Sequence, residues 1–323
     1  MTGPRTARYT RRHIMKAFGR RFDFLLHQLS LLWFCHRLGI GIAAVTGVFG
    51  AASFSPLQAQ EFKPFDQFLN ISTRVLVGSG DDVAIAGFVV TGNEPKRVII
   101  RAIGPSLRSA GISNALPDPM LELHDSRGAV IASNDNWKDT QEVEIRATGL
   151  APADDRESAI VRALSPGAYT AIMRGKADGS GIGLIEGYDL DSSTDSIFAN
   201  ISTRGFVGTG DNAMIGGLIV GGNGGGVNVV IARSLGPSLS NAGVQHALQD
   251  PMIELRDQNG VLIDSNDNWK DRQQALIERE NLAPADDRES ALLDVLPAGA
   301  YTAIVRGKNG TTGVALVEFY NVH

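Results

Sequence analysis

Thiols, histidines and basic side chains are scarce in this sequence, and each shortage removes a class of function. Cys35 is the only cysteine and lies near the N-terminus, so the chain beyond it has neither a disulfide framework nor a thiol nucleophile. Beyond residue 59 the histidines are His124, His246 and His323 alone. Thirty basic residues face thirty-five acidic ones, and eight of the former but one of the latter fall within residues 1–59. The remainder is left with twenty-two against thirty-four, a net charge of about −12. That balance opposes a phosphate-tracking surface, so no nucleic-acid partner is expected.

Residues 1–59 have the layout of a secretory signal. Arg5, Arg8, Arg11, Arg12, Lys16, Arg20, Arg21 and Arg37 face only Asp23, and an uncharged run from Leu38 to Ala59 ends in small residues after Leu57-Gln-Ala59. Met15 is an alternative start. The patch from Phe24 to Cys35 leaves an uncleaved anchor as a second reading, and this would be the only membrane contact. The expected address is outside the cytoplasm: periplasm, cell surface or medium.

The rest is one module written twice. Ser133-Asn-Asp-Asn-Trp-Lys-Asp139 returns as Ser265 to Asp271, and Leu150-Ala-Pro-Ala-Asp-Asp-Arg-Glu-Ser-Ala159 returns as Leu282 to Ala291. The offset of 132 also pairs Gly104-Pro-Ser-Leu with Gly236-Pro-Ser-Leu and Gly167-Ala-Tyr-Thr-Ala-Ile with Gly299-Ala-Tyr-Thr-Ala-Ile. Upstream the offset falls to 130, where Asn70-Ile-Ser-Thr-Arg matches Asn200-Ile-Ser-Thr-Arg, so the second copy carries two extra residues in Gly224-Gly-Gly226. The expected division is a signal over 1–59, a first repeat over 60–190, a linker over 191–198 and a second repeat over 199–323.

Each copy reads as short strands punctuated by Gly, Pro, Asn and Asp. In the first they are Asn70–Val77, Val83–Val90, Arg97–Ile103, Met120–His124, Ala129–Ser133, Glu157–Leu164, Ala168–Arg174 and Ile182–Tyr188. Leu121 and Leu123 alternate with Glu122 and His124, as Ile253 and Leu255 do with Glu254 and Arg256. Ala159, Val161 and Ala163 read as core, with Arg162 and its counterpart Asp294 solvated. Asp139 with Glu142, and Asp271 with Gln274, fit capping boxes for a helix of two to three turns, ended by Gly149 or Asn281 and closing one mouth of the fold. The expected class is all-β: two tandem β-sandwich domains, jelly-roll-like, each with one short helix.

Asp118-Pro-Met-Leu-Glu-Leu-His-Asp-Ser-Arg-Gly128, Ile131-Ala-Ser-Asn-Asp-Asn136, Ser158-Ala-Ile, Pro166-Gly-Ala-Tyr-Thr170 and Gly187-Tyr188 together resemble the bacterial pre-peptidase C-terminal (PPC) type of β-sandwich, and the second copy repeats the series from Asp250-Pro to Phe319-Tyr320. A little over half of each copy is covered; Asn70-Ile-Ser-Thr-Arg and Gly104-Pro-Ser-Leu fall outside. The resemblance implies an accessory module that binds, spaces or anchors, sometimes with calcium, although such modules ordinarily follow an enzyme.

Calcium is therefore the candidate cofactor, on Asn134, Asp135, Asn136, Asp154 and Asp155 and again on Asn266, Asp267, Asn268, Asp286 and Asp287, all hard oxygen donors. The same residues are habitual turn formers, which is the competing reading. Trp137 and Trp269 read as packing groups rather than sugar-stacking ones. Arg101 and Arg233 are expected to bridge to Asp118 and Asp250. No histidine recurs at matching positions, since His124 faces Arg256 and His246 faces Asn114, and Ser106 and Ser238 lack a nucleophile elbow. No catalytic residue is assigned. The expected function is non-enzymatic binding or adhesion to a polysaccharide, cell-surface polymer or protein; the alternatives are a secreted hydrolase using carboxylates and a purely structural spacer or envelope component.

Overall fold

The computed structural model describes residues 67–80, 82–191, 194–221 and 227–322; the leader and the glycine insertion lie outside them. The protein is all-β. The first repeat forms β1 (Gln67–Val77), β2 (Ala84–Thr91), β3 (Lys96–Ile103), β4 (Pro119–Asp125), β5 (Val130–Asn134), helix α1 (Glu142–Ala147), β6 (Ser158–Leu164), β7 (Gly167–Gly175) and β8 (Gly181–Asp189). The second forms β9 (Ile197–Val207), β10 (Met214–Gly221), β11 (Val227–Leu235), β12 (Pro251–Asp257), β13 (Leu262–Asn266), helix α2 (Gln274–Arg279), β14 (Ser290–Pro297), β15 (Gly299–Gly307) and β16 (Gly313–Val322). The alternation predicted for β4 is present, with Leu121 and Leu123 buried between more exposed neighbours.

The repeats do not close on themselves. β1 pairs with β8 of its own repeat and with β10 of the other; β9 pairs with β16 of its own repeat and with β2 of the other. Two runs of eight strands result, β6-β3-β8-β1-β10-β15-β12-β13 and β14-β11-β16-β9-β2-β7-β4-β5, each drawing four strands from each repeat. Parallel bridges at Phe68–Phe198 and Leu76–Phe206 tie β1 to β9. The described residues belong to a single compact unit. One apolar core runs through both repeats, from Phe68, Val75 and Phe88 to Leu218, Val305 and Phe319. This corrects the expectation of two independently cored sandwiches. The turn signals that separate strands say nothing about which repeat supplies a strand's neighbour.

At the centre the identical Asn-Ile-Ser-Thr-Arg segments meet. Thr73 Oγ1 donates to Thr203 Oγ1 at 2.8 Å, both side chains being buried. Two residues on, the repeats differ: a Cβ placed on Gly205 would fall 2.4 Å from Cγ2 of Val75, its own counterpart. Close-packed interiors do not admit two valines there.

The two helices are shorter than expected, six residues each, and neither begins on a capping box. Asp139 and Asp271 instead accept from Asn136 Nδ2 at 3.0 Å and Asn268 Nδ2 at 3.2 Å, in a turn that precedes the helix. Left-handed Gly149 (φ 73°) and Asn281 (φ 57°) follow the ends, as anticipated. Helix α1 does not close a mouth. Its buried Ile145 packs with Ile99, Trp137, Ala159 and Val161 in a separate cluster on the outer face of β3 and β6. Ala159 and Val161 are buried as expected, but in this second cluster, and Ala163 is exposed; Ile160 and Leu164 point into the main core, and Arg162 shares their side at the exposed rim.

Because β1 and β9 are parallel, the repeats point the same way. Following the antiparallel pairings outward, the connections after β1, β3, β5 and β7 emerge at one end, and those after β9, β11, β13 and β15 emerge beside them. The longest identical segments all sit at that end. The opposite end has mostly tight turns, such as the Asp125 turn in which Oδ1 accepts from Arg127 N and Ala129 N.

A shared core has a direct consequence. Residues 60–193 and 194–323 produced as separate chains are expected to co-purify as a one-to-one complex, with neither giving a folded monomer alone; light scattering and circular dichroism decide it, and a stable monomer of either would contradict the exchange.

Candidate functional site

At the loop-bearing end, Glu157 and Glu289 are fully buried, yet each carboxylate is satisfied. Glu157 Oε1 accepts from Gly104 N (3.0 Å), Ser106 N (2.9 Å) and Ser106 Oγ (2.5 Å), while Oε2 accepts from Asp154 N (3.2 Å). Glu289 repeats the pattern with Gly236, Ser238 and Asp286. A buried charge is tolerated when donors surround it. This explains Gly-Pro-Ser-Leu: the glycine admits the crossing backbone, since a Cβ on Gly104 would sit 2.3 Å from Leu116 O, and the serine supplies two donors. The hydroxyl of Ser106 serves the carboxylate and has no histidine partner in that network.

Each of the ten calcium candidates has a partner within the chain, although Oδ1 of Asp135 and Oδ1 of Asp267 are buried without a hydrogen-bond partner. Asn134 Nδ2 donates to Asn136 O (3.0 Å) and its Oδ1 accepts from Ala159 N (2.9 Å); Asn266 does the same with Asn268 and Ala291. Asp135 pairs with Lys176 at 2.6 Å and Asp267 with Lys308 at 2.5 Å. Those contacts hold both ammonium groups above the ordinary lysine range. Asp154 and Asp286 make bidentate pairs with Arg156 and Arg288, which lower both carboxyls. Asp155 meets Lys138 at 2.5 Å and Asp287 meets Lys270 at 2.6 Å. Among the described residues no group of three or more His, Cys, Asp or Glu is arranged to hold a metal ion. These contacts are of the kind that turn chemistry and plain ion pairing supply. Arg156 and Arg288 lie in the same loop as Asp154 and Asp286, whereas Lys176, Lys308, Lys138 and Lys270 reach their aspartates from other segments, which spacing alone does not show.

Trp137 and Trp269 are buried, as packing groups are, with Nε1 donating to Asp154 O and Asp286 O at 3.2 Å. Lys138 and Arg146 lie over the Trp137 ring at 5.3 and 4.8 Å. The arginine bridges differ from expectation. Arg101 pairs with Glu186 and Arg233 with Glu318, not with Asp118 or Asp250. Each guanidinium also donates to a loop carbonyl, Leu150 O at 2.8 Å or Leu282 O at 2.6 Å, and covers a tyrosine ring. Tyr188 and Tyr320 donate to the same glutamates at 2.9 Å; burial, then the adjacent carboxylate, pushes both phenols up to about 12. Such phenols stay protonated at neutral pH and hold the network in place.

Two features were missed from sequence. Lys96 and Asp189 form a wholly buried ion pair at 2.5 Å, and Lys96 Nζ also donates to Asp191 O at 2.7 Å, fastening the start of the linker. The matching positions are Asn228 and Asn321, which share an amide hydrogen bond of 2.8 Å. The joint change from Lys/Asp to Asn/Asn was the available signal. Gln141 and Gln273 each pair by both amide atoms with one residue of a sheet-edge strand: Gln141 with Val161 N and O at 3.0 and 2.9 Å, Gln273 with Leu293 N and O at 3.0 and 2.8 Å. They act as a one-residue substitute for the missing neighbour strand.

A cavity of ≈ 10 Å³ lies among Ile71, Phe88, Ile100 and Ile185 in the first repeat. That is room for about one water. Among the described residues no helix is long and apolar enough to cross a membrane.

Lys96→Ala is expected to cost about 3–5 kcal/mol, because it strands a buried carboxylate. Replacing both partners at once, Lys96→Asn with Asp189→Asn, imports the pair of the second repeat and should recover most of that loss in chemical denaturation. The thermal midpoint should be the same in chelator and in millimolar calcium; a calcium-dependent rise would restore the metal reading.

No family model and no curated protein matches the chain. A solved structure of a DUF4785 family protein from Legionella pneumophila subsp. pneumophila str. Philadelphia 1 is similar over 88% of this chain and 91% of that one, at 8% identity and a TM-score of 0.21. Likeness that low carries no argument about this chain.

Proposed function

We propose that the chain is an exported, non-enzymatic binding protein, built from two PPC-like repeats that share one core, that grips a polysaccharide, cell-surface polymer or protein through the end bearing its long loops. One observation carries this reading: Ser133–Asp139 and Leu150–Ala159 of the first repeat and their identical counterparts in the second emerge at the same end of the fold, because β1 and β9 run parallel. Rigid sheets presenting loops are a common binding arrangement. Two equivalent loop sets facing one target add avidity without any new contact. Exposed Asp155 and Asp287, each beside a lysine, would supply the polar contacts.

A structural spacer is the second reading. It is favoured by the internal satisfaction of the repeated motif, since Glu157, Asn134 and Trp137 spend their hydrogen bonds on the chain itself.

The two separate in a pull-down on insoluble polysaccharides together with a glycan array, using the chain from residue 60. Wild type should be retained; Lys138→Glu alone should weaken retention by an order of magnitude or more through lost avidity, and Lys138→Glu with Lys270→Glu should abolish it. Negligible retention of wild type on every polymer and on cell-envelope material would favour the spacer.

A further inference from the structure

At three positions close together in the fold, the repeats diverge as a set. Ala132, Thr140 and Arg162 of the first become Asp264, Arg272 and Asp294 of the second. Asp264 lies on β13 and Asp294 on β14, strands that end opposite sheets, each with one partner strand among the described residues. These two edges lie against each other. Asp294 shares its side of β14 with the core residues Leu292 and Leu296, so it points into the gap between the sheets rather than to open solvent. This corrects the sequence expectation of a freely solvated position, which holds for Arg162 alone. Asp264 Oδ1 accepts from Arg272 at 2.5 Å and from Ser265 N at 2.8 Å. Asp294 Oδ2 is buried without a hydrogen-bond partner.

We propose that Asp264, Arg272 and Asp294 form an acid-closed latch between β13 and β14, which fastens the open side of the second repeat when Asp294 is protonated and loosens it when Asp294 is ionised. Protonation gives Asp294 a hydroxyl able to donate to the Asp264 carboxylate; ionisation leaves two carboxylates sharing one guanidinium across the gap. Burial first, then the charge of Asp264, pushes the Asp294 carboxyl up to about 6 from 3.8, with Arg272 opposing. The native state therefore binds more protons than the unfolded one between those values. Stability is greatest below the unfolded value and is lost as pH rises through about 6. β13 is the element that would give way. It has five residues, and its Leu262 and Ile263 are 47% and 41% exposed, so little burial restrains it.

The first repeat is a built-in control, since β5 occupies the same place without the acidic pair. The test is hydrogen exchange on the chain from residue 60 at pH 5 and pH 7.5, corrected for intrinsic rates. Protection of 261–266 should fall on the order of tenfold at the higher pH, while 129–134 stays unchanged. Asp294→Asn, which keeps a donor at every pH, should hold the protection high at both, and Asp264→Ala should reduce the pH dependence by removing the repulsion, leaving the part that burial of Asp294 sustains. Equal wild-type protection at both pH values, an equal change over 129–134, or a pH effect that survives Asp294→Asn would each overturn the latch.

Discussion

Exchange of the first strand between the repeats is the constraint on which the remaining architecture rests. β1 and β9, like β2 and β10 beside them, have their two edges filled from different repeats, and without β1 and β9 each repeat would expose the flank of its second strand, β2 or β10. An open edge of that length is an association hazard in any β protein. Pairing it within the chain turns the hazard into the joint that makes two eight-stranded runs, each out of two four-stranded halves. The same joint brings Phe88 of the first repeat edge-to-face with Phe198 of the second, ring centroids 5.6 Å apart, so the aromatic centre of the core is itself composite.

An intramolecular joint between near-identical halves must still be told apart from the same joint between two chains. The Val75–Gly205 contact supplies that discrimination. One bulky and one empty position fit together on the pseudo-twofold axis, whereas two copies of the first repeat would set valine against valine and two copies of the second would leave a void. Breaking symmetry at one contact thus favours the covalently linked pairing, while the Thr73–Thr203 hydrogen bond two residues away keeps the symmetric part of the motif. The five-residue identity at offset 130 is explained by this meeting rather than by any exposed chemistry.

Much of the strand layout was legible because alternation and turn residues are local properties. Every strand expected in the first repeat is present with its ends moved by a few residues, and the left-handed residues after the helices were readable from Gly149 and Asn281. Strand partnership was not legible, since β1 reads the same whether its neighbour is β2 or β10. The polar site was legible only as composition. The pairing of Asp154 with Arg156 is local, but Asp135 and Asp155 meet Lys176 and Lys138 only through the fold, and Arg101 had several acidic candidates before the register set it opposite Glu186.

Comparison of the two repeats recovers part of what a single reading loses. Positions that touch change together: Lys96 and Asp189 become Asn228 and Asn321, and Ala132, Thr140 and Arg162 become Asp264, Arg272 and Asp294. A buried ion pair cannot lose one partner cheaply, whereas replacing both removes the charges and keeps a hydrogen bond from Asn321 Nδ2 to Asn228 Oδ1, so substitution is confined to joint moves. The identical loops obey the same rule in its strictest form. Glu157 serves Gly104, Ser106 and Asp154 at once, a set too interlocked for any joint move of two residues, and both copies keep it letter for letter. Divergence between the repeats therefore marks where the hydrogen-bond pattern can move, and at the acidic pair between β13 and β14 the move leaves Asp294 Oδ2 buried without a hydrogen-bond partner.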